Sequence, residues 1–132
     1  MVSASMRGII ATLSGCRCES SSSRATVRGA AMLVWSNSPL TKELKAVIIN
    51  FYAGNRPSVD VDNMSKPILD ELNNLVYDDD RQIVQVEITH TKIGAAYQVM
   101  GARPIIVTGL QAGNQFVYVR IEDPVTPFPL PK

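Results

Sequence analysis

Three aspartates and one lysine near the middle of the chain have the residue types that metal-dependent phosphoryl chemistry requires. Asp60 and Asp62 are two residues apart, Lys66 follows Asp62 by four residues, and Asp80 ends a run of three aspartates. Carboxylates about 4 Å apart near a protein surface repel each other by about 4 kcal/mol, so they bind either protons or a divalent cation. Oxygen ligands without histidine or cysteine suit Mg²⁺ or Mn²⁺, ions that serve phosphoryl transfer.

The charge distribution singles out the same part of the chain. The 132 residues have a net charge of +1, but residues 60–80 hold seven of the twelve acids and a single lysine, a net charge of −6. A composition of 45% hydrophobic and 19% charged residues excludes wholesale disorder. No stretch approaches the roughly 20 apolar residues of a membrane span, and we interpret the protein as cytoplasmic and without a membrane partner.

Apolar patterning predicts the elements that must position these acids. Strands are predicted at 7–13, 45–52, 81–91 and 116–121, with shorter edge pieces at 97–100 and 104–108. The spacing of Val27, Ala30, Ala31 and Val34 predicts a helix over 24–36. Residues 59–63 alternate and are predicted to be extended, and Pro67 predicts the first turn of a second helix that runs to about residue 74.

These elements predict an α+β fold, a mixed β-sheet with two helices packed on one face of a single domain. We expect a variable N-terminal segment at 1–23, the folded domain at 24–123 and a Pro-rich extended tail at 124–132. In the strand at 81–91, period two predicts a buried face formed by Val84, Val86, Ile88 and His90.

Spacing alone leaves other interpretations of the acids open. Acid clusters are commonly solvated surface, as in a structural module without metal affinity, and Asp-x-Asp pairs also occur in nucleotide-sugar sites. A calcium loop that begins at Asp60 is excluded, because Met64 and Ser65 occupy positions five and six, where Asp or Asn and then Gly are required.

Four further residues have side chains that could take part in binding or catalysis, but each also has an ordinary structural interpretation. Cys16 and Cys18 are too few for a disulfide framework and are interpreted as loop thiols. His90 on an apolar strand face is interpreted as a core or edge histidine. Trp35 is three times likelier to pack in a core or dimer interface than to stack on a DNA base.

Taken together, residues 60–84 resemble the signature of RusA-type Holliday junction resolvases. That signature contains Asp-x-Asp-Asn-x-x-Lys, an aspartate four residues later, and then Asp-Asp-x-Gln followed by apolar residues. Every landmark is present here in the same order: Asp60, Asp62, Asn63, Lys66, Asp70, Asp79, Asp80 and Gln82.

The resemblance implies a role for each landmark. Asp60, Asp62 and Asp80 match metal-binding catalytic acids, and Lys66 matches the catalytic lysine. The supporting positions are Asn63, Asp70, Asp79 and Gln82. Asp70 also has a structural interpretation, an ion pair with Lys66 one helical turn away.

The resemblance also implies the activity and the partners. Members of the family are small homodimeric endonucleases that use Mg²⁺, with Mn²⁺ as a substitute, to cut branched DNA at four-way junctions in recombination and repair. The basic residues expected to contact DNA are Arg17, Arg24, Arg28, Lys42, Lys45 and Arg56. Residues 14–23 are Ser-rich and weakly basic, which leaves open an alternative function, a catalytically weak or inactive DNA-binding or dimerisation protein.

Overall fold

The computed structural model describes residues 6–12, 21–52, 54–55, 61–93, 106–107, 110–111 and 115–132. Of residues 6–12, 21–26 and 61–63, only the backbone is described. The elements are β1 (Met6–Thr12), α1 (Ser21–Val34), β2 (Leu44–Tyr52), α2 (Val61–Leu72), a 3-10 turn (Asp80–Gln82), β3 (Ile83–Lys92) and β4 (Phe116–Glu122).

Four strands of the described chain form one mixed sheet in the order β1-β4-β2-β3. β2 and β3 are parallel, whereas β4 is antiparallel to both β1 and β2. Helix α2 is therefore the crossover of a parallel strand–helix–strand unit. The strand before Asp60 therefore pairs with the strand after Asp80.

Both helices pack against the same face of the sheet, which confirms the expected α+β architecture. The core on that face joins residues of α1, α2, β2 and β4, among them Val27, Ala31, Met64, Leu69, Leu72, Ala46, Ile48, Val117, Val119 and Ile121. On the opposite face, Ile106 and Leu110 pack beside the stacked rings of Phe51 and Phe116, whose centroids are 4.5 Å apart.

The first helix begins three residues earlier than expected and ends two residues earlier, and one residue of its expected core face is wrong. Val27 and Ala31 are buried, but Val34 is 47% exposed. The reason is that the buried stripe continues at i+4 to Trp35, which is 6% exposed and donates its backbone N–H to the Ala31 carbonyl at 2.9 Å. The interpretation of Trp35 as a packing residue is confirmed.

The second helix differs more from the expectation. Residues 61–63, predicted as extended, form the first turn of α2, and Pro67 lies inside the helix rather than at its start. An interior proline lacks the amide that would bond the carbonyl four residues before it and costs about 3 kcal/mol. The earlier start is explained by Met64, which is fully buried and extends the apolar stripe of Ile68 and Leu72 by one turn.

The buried face expected for β3 is also wrong at two residues, since Val84 and Val86 are 49% and 44% exposed. The register of β3 with β2 shifts between the pairs Leu44↔Ile83 and Lys45↔Gln85, so Val84 is a bulge without a partner residue. β3 is moreover an edge strand of the described sheet. The other two residues of the expected face, Ile88 and His90, are partly buried, as is Ile83.

Two shorter predictions lie after β3. The edge piece at 104–108 is wrong, because Ile106 and Val107 are helical and Ile106 packs on the aromatic pair of the opposite face. The piece at 97–100 lies outside the described residues. Residues 123–132 form neither helix nor strand, as expected of the Pro-rich tail. The boundaries of the domain remain a prediction, although β1 in the segment at 1–23 pairs with β4.

Two leucines on the helices give a matched test of this packing. Leu72 is fully buried and Leu33 is 89% exposed. We expect Leu72→Ala to lower the free energy of unfolding by about 2–5 kcal/mol, because it leaves a cavity in the core. Leu33→Ala should change it by less than about 0.5 kcal/mol. Urea denaturation measures both, and equal losses for the two variants would contradict the packing of α2.

Candidate active site

Helix α2 carries one polar stripe away from its apolar face. Residues 62, 66 and 70 are spaced by four and therefore follow one another along the helix at intervals of about 6 Å. Lys66 Nζ lies 3.5 Å from Asp70 Oδ1, which confirms the expected pair. The side chain of Lys66 is 77% exposed and that of Asp70 is 28% exposed, so the pair adds only a few tenths of a kcal/mol to stability.

The acids expected at the start of this stripe are only partly described. Asp62 and Asn63 lie in the first turn of α2, with their side chains outside the description. Asp60 precedes the helix and lies outside the described residues. Since Asp62 is helical, the expectation that it shares an extended segment with Asp60 is wrong.

Asp79 and Asp80 form the turn that leads into β3. Asp79 caps the 3-10 turn, and its Oδ1 accepts a hydrogen bond from the Arg81 amide at 3.0 Å. The side chain of Gln82 completes a reciprocal capping box, because its Oε1 accepts the amides of Asp79 and Asp78 at 2.9 and 3.0 Å. The turn therefore holds both carboxyl groups on a fixed backbone.

Gln82 also joins this turn to a distant part of the chain. Its Nε2 donates to the carbonyl oxygens of Leu40 and Lys42 at 2.8 and 2.9 Å. One side chain thus makes four hydrogen bonds and connects the acidic turn to the segment that enters β2. The geometry gives Gln82 a positioning role in the turn.

Tyr77 is a buried residue within electrostatic reach of Asp80 and Asp70. It is fully buried, and its hydroxyl donates to the Leu69 carbonyl at 2.5 Å. Burial raises the pKa of this phenol well above its ordinary value, and the negative charges of Asp80 and Asp70 raise it further. Tyr77 therefore stays neutral and keeps donating at every pH at which the protein works. Residue spacing does not single out Tyr77; the available signal is an aromatic residue directly before a run of acids.

The two neighbouring carboxyl groups have opposite pKa shifts. The hydrogen bond from the Arg81 amide is the main reason that the pKa of Asp79 is lowered, and a side-chain hydrogen bond shared with Asp80 is the second. The same shared hydrogen bond raises the pKa of Asp80, and desolvation and the charges of Asp79 and Asp70 add to this, whereas the Lys66 charge opposes it. Asp80 is thus the carboxylate that is least favoured as an isolated charge, and Lys66 and Asp70 lie within electrostatic reach of it.

Lys66 and Asp70 of α2, together with Asp79 and Asp80 of the turn, form what we call the acidic corner. A divalent cation suits its chemistry, because the described donors are carboxylate oxygens whose repulsion such an ion would relieve. The residues that the structure describes contain no group of three or more His, Cys, Asp or Glu side chains arranged to hold a metal. Asp80 is the described member of the expected set, and the carboxyl groups of Asp60 and Asp62 fall outside the description.

The described basic residues expected to contact DNA are engaged within the protein. Arg28 Nη1 donates to the Glu71 carbonyl at 2.9 Å and so joins α1 to the end of α2. Lys42 pairs with Asp123. Lys45, whose side chain is 14% exposed, lies 3.7 Å from Glu87. Arg17 and Arg56 lie outside the described residues, as does the side chain of Arg24.

His90 is partly buried and its Nδ1 lies 3.0 Å from Asn50 Nδ2, which confirms its interpretation as a packing histidine. The amide nitrogen of Asn50 can only donate, so Nδ1 accepts and Nε2 carries the proton. Cys16 and Cys18 lie outside the described residues. Among the helices that the structure describes, none combines the length and apolar character needed to cross a bilayer.

Comparison with known proteins identifies one family. The family model described as endodeoxyribonuclease RusA matches residues 20–103, which is more than half of the chain. The matched region contains α1, β2, α2, the acidic turn and β3. A search of curated proteins found no match.

Gln82 and Gln85 provide a matched test of the turn. We expect Gln82→Ala to lower the free energy of unfolding by about 2 kcal/mol, since four mostly exposed hydrogen bonds are lost and each is worth about 0.5 kcal/mol after exchange with water. Gln85, which bonds only the backbone N–H and carbonyl of Val125, should cost about half as much when changed to Ala. Chemical denaturation measures both, and a harmless Gln82→Ala would contradict the positioning role.

The raised pKa of Asp80 predicts a pH dependence of stability. Its charged form is disfavoured in the folded protein, so its contribution is lost as pH rises through the folded pKa and is restored below the unfolded value of about 3.9. Asp80→Asn should therefore melt at a higher temperature than the parent at pH 7, and the difference should vanish near pH 3. Asp78→Asn, on the exposed neighbour, is the control. A lower melting temperature for Asp80→Asn at pH 7 would contradict the repulsion.

Proposed function

Since the chain belongs to the endodeoxyribonuclease RusA family, we propose that it is a Mg²⁺-dependent endonuclease that cuts branched DNA at four-way junctions. The observation that supports this most directly is the acidic corner, in which Asp79, Asp70 and Lys66 lie within electrostatic reach of Asp80. The pKa of Asp80 is raised first by its hydrogen bond with Asp79 and then by desolvation and neighbouring charges, so a nearby cation would favour its charged form.

We assign the ion to Asp60, Asp62 and Asp80. A bound divalent cation would supply an activated water and neutralise charge on the scissile phosphate. Placing Asp62 on the same stripe as Lys66 supports this assignment, because one helical turn separates their Cα atoms.

The residues of the chain have distinct tasks in this proposal. Lys66, exposed and tied to Asp70 by one long contact, stabilises the negative charge that develops on the phosphate. Asp79 and Gln82 keep the backbone of the turn in place, so that Asp80 presents its carboxylate with little reorganisation. Neutral Tyr77 supports the helix end beneath them.

The proposal extends to the assembly. Cutting a four-way junction symmetrically requires two active sites related by a two-fold axis, which two copies of this chain would supply. We therefore propose a homodimer that acts on opposite strands of the junction.

Cleavage of a synthetic four-way junction tests the function. Asp60→Asn should reduce cleavage in Mg²⁺ at least about a hundredfold, because it removes a ligand that acts on charge in the transition state, and should leave junction binding intact. Asp78→Asn is the matched control and should cut at the parental rate. Undiminished cutting by Asp60→Asn would refute the assignment, and junction binding without cleavage by the parent at any Mg²⁺ or Mn²⁺ concentration would favour an inactive DNA-binding protein.

A further inference from the structure

Most cations of the described chain already have partners. Five of them make intramolecular contacts to a carbonyl or a carboxylate, namely Arg28 with Glu71, Lys42 with Asp123, Lys45 with Glu87, Lys66 with Asp70 and Arg120 with Glu122. A cation that is committed in this way must give up its partner before it can bind a phosphate. A basic group without such a partner can neutralise a phosphate without first breaking a contact.

Arg81 has that property. It is exposed, and its backbone amide bonds Asp79, but its guanidinium makes no hydrogen bond or ion pair with any residue that the structure describes. The backbone of Arg81 is held in place, because the residue lies between Asp80 and Gln82 in the 3-10 turn that the capping box stabilises. Its positive charge also lowers the pKa of Asp79, so the guanidinium lies within electrostatic reach of the acidic corner.

We propose that Arg81 binds a backbone phosphate of the DNA strand that enters the acidic corner. The inference rests on the proposed function and adds a residue to it. A guanidinium has five donors in a planar fork that matches two phosphate oxygens, and a rigid turn beneath it reduces the entropy lost on binding. Arg81 and Lys66 then flank Asp80 with positive charge, so the strand meets cations beside carboxylates that would otherwise repel it.

Such a contact positions the DNA without reading its sequence. Each phosphate contact to duplex DNA contributes about 0.9 to the slope of log affinity against log salt concentration. The loss of one contact is therefore visible in the salt dependence of binding, which a purely structural role of Arg81 would leave unchanged.

The experiment compares four full-length proteins in junction binding without divalent ions, over about 0.05–0.3 M KCl. We expect Arg81→Gln to reduce the salt slope by about 0.9 and to weaken binding on the order of fivefold near 0.15 M. Arg81→Lys keeps the charge and should retain most of the slope. Lys132→Gln, which removes one exposed charge from the tail, is the control and should match the parent.

The outcomes separate this inference from the function on which it rests. A parent that binds junctions and an Arg81→Gln variant with the parental slope and affinity would overturn the phosphate contact alone. A lower melting temperature for Arg81→Gln with an unchanged slope would assign Arg81 to charge compensation of Asp79 and would also overturn it. A parent that binds no junction would overturn the proposed function together with this contact.

Discussion

Repulsion between carboxylates at the end of α2 is the constraint on which the rest of this structure depends. Asp70 and Asp79 both lie within electrostatic reach of Asp80, and the long ion pair of Lys66 with Asp70 compensates this repulsion only weakly. The neighbouring carboxylates disfavour the charge on Asp80 and raise its pKa. A protein that keeps these charges together must hold them with interactions that do not themselves depend on charge.

The interactions that do this are neutral hydrogen bonds and apolar burial. Gln82 connects the acidic turn to the carbonyls of Leu40 and Lys42, and the Leu40 amide bonds the Val76 carbonyl at 2.8 Å. Val76 is fully buried in the core beneath α2. The acidic turn is therefore connected to the core by two successive hydrogen bonds, from Gln82 to Leu40 and from Leu40 to Val76. The packing of that core holds Asp80 in place against the repulsion.

The sequence predicts those parts of the fold in which local pattern and tertiary packing agree. The apolar run of β2 is buried between β3 and β4, as a continuous apolar run indicates. The start of α2 is missed because residues 59–62 alternate valine with aspartate, and only the burial of Met64 reveals the helical period. The exposure of Val84 and Val86 follows from a bulge on an edge strand, a feature of pairing that no single segment encodes. The pairing of Lys66 with Asp70 follows from helical spacing, whereas the bonds of Gln82 to Leu40 and Lys42 join residues about forty positions apart and are invisible to it.

The run Asp78–Asp80 shows why residue type alone does not assign roles in such a cluster. All three residues are aspartates, but the Asp79 carboxylate accepts the Arg81 amide, and this bond lowers its pKa and commits it to the fold. Asp80 accepts no backbone amide of a described residue, and the side-chain hydrogen bond between the two acids, which lowers the pKa of Asp79, raises the pKa of Asp80. A cation that approaches the turn gains most from the carboxylate whose charge is least compensated. The hydrogen bonds of the 3-10 turn, rather than the type of acid, therefore leave the charge of Asp80 less compensated than that of Asp79.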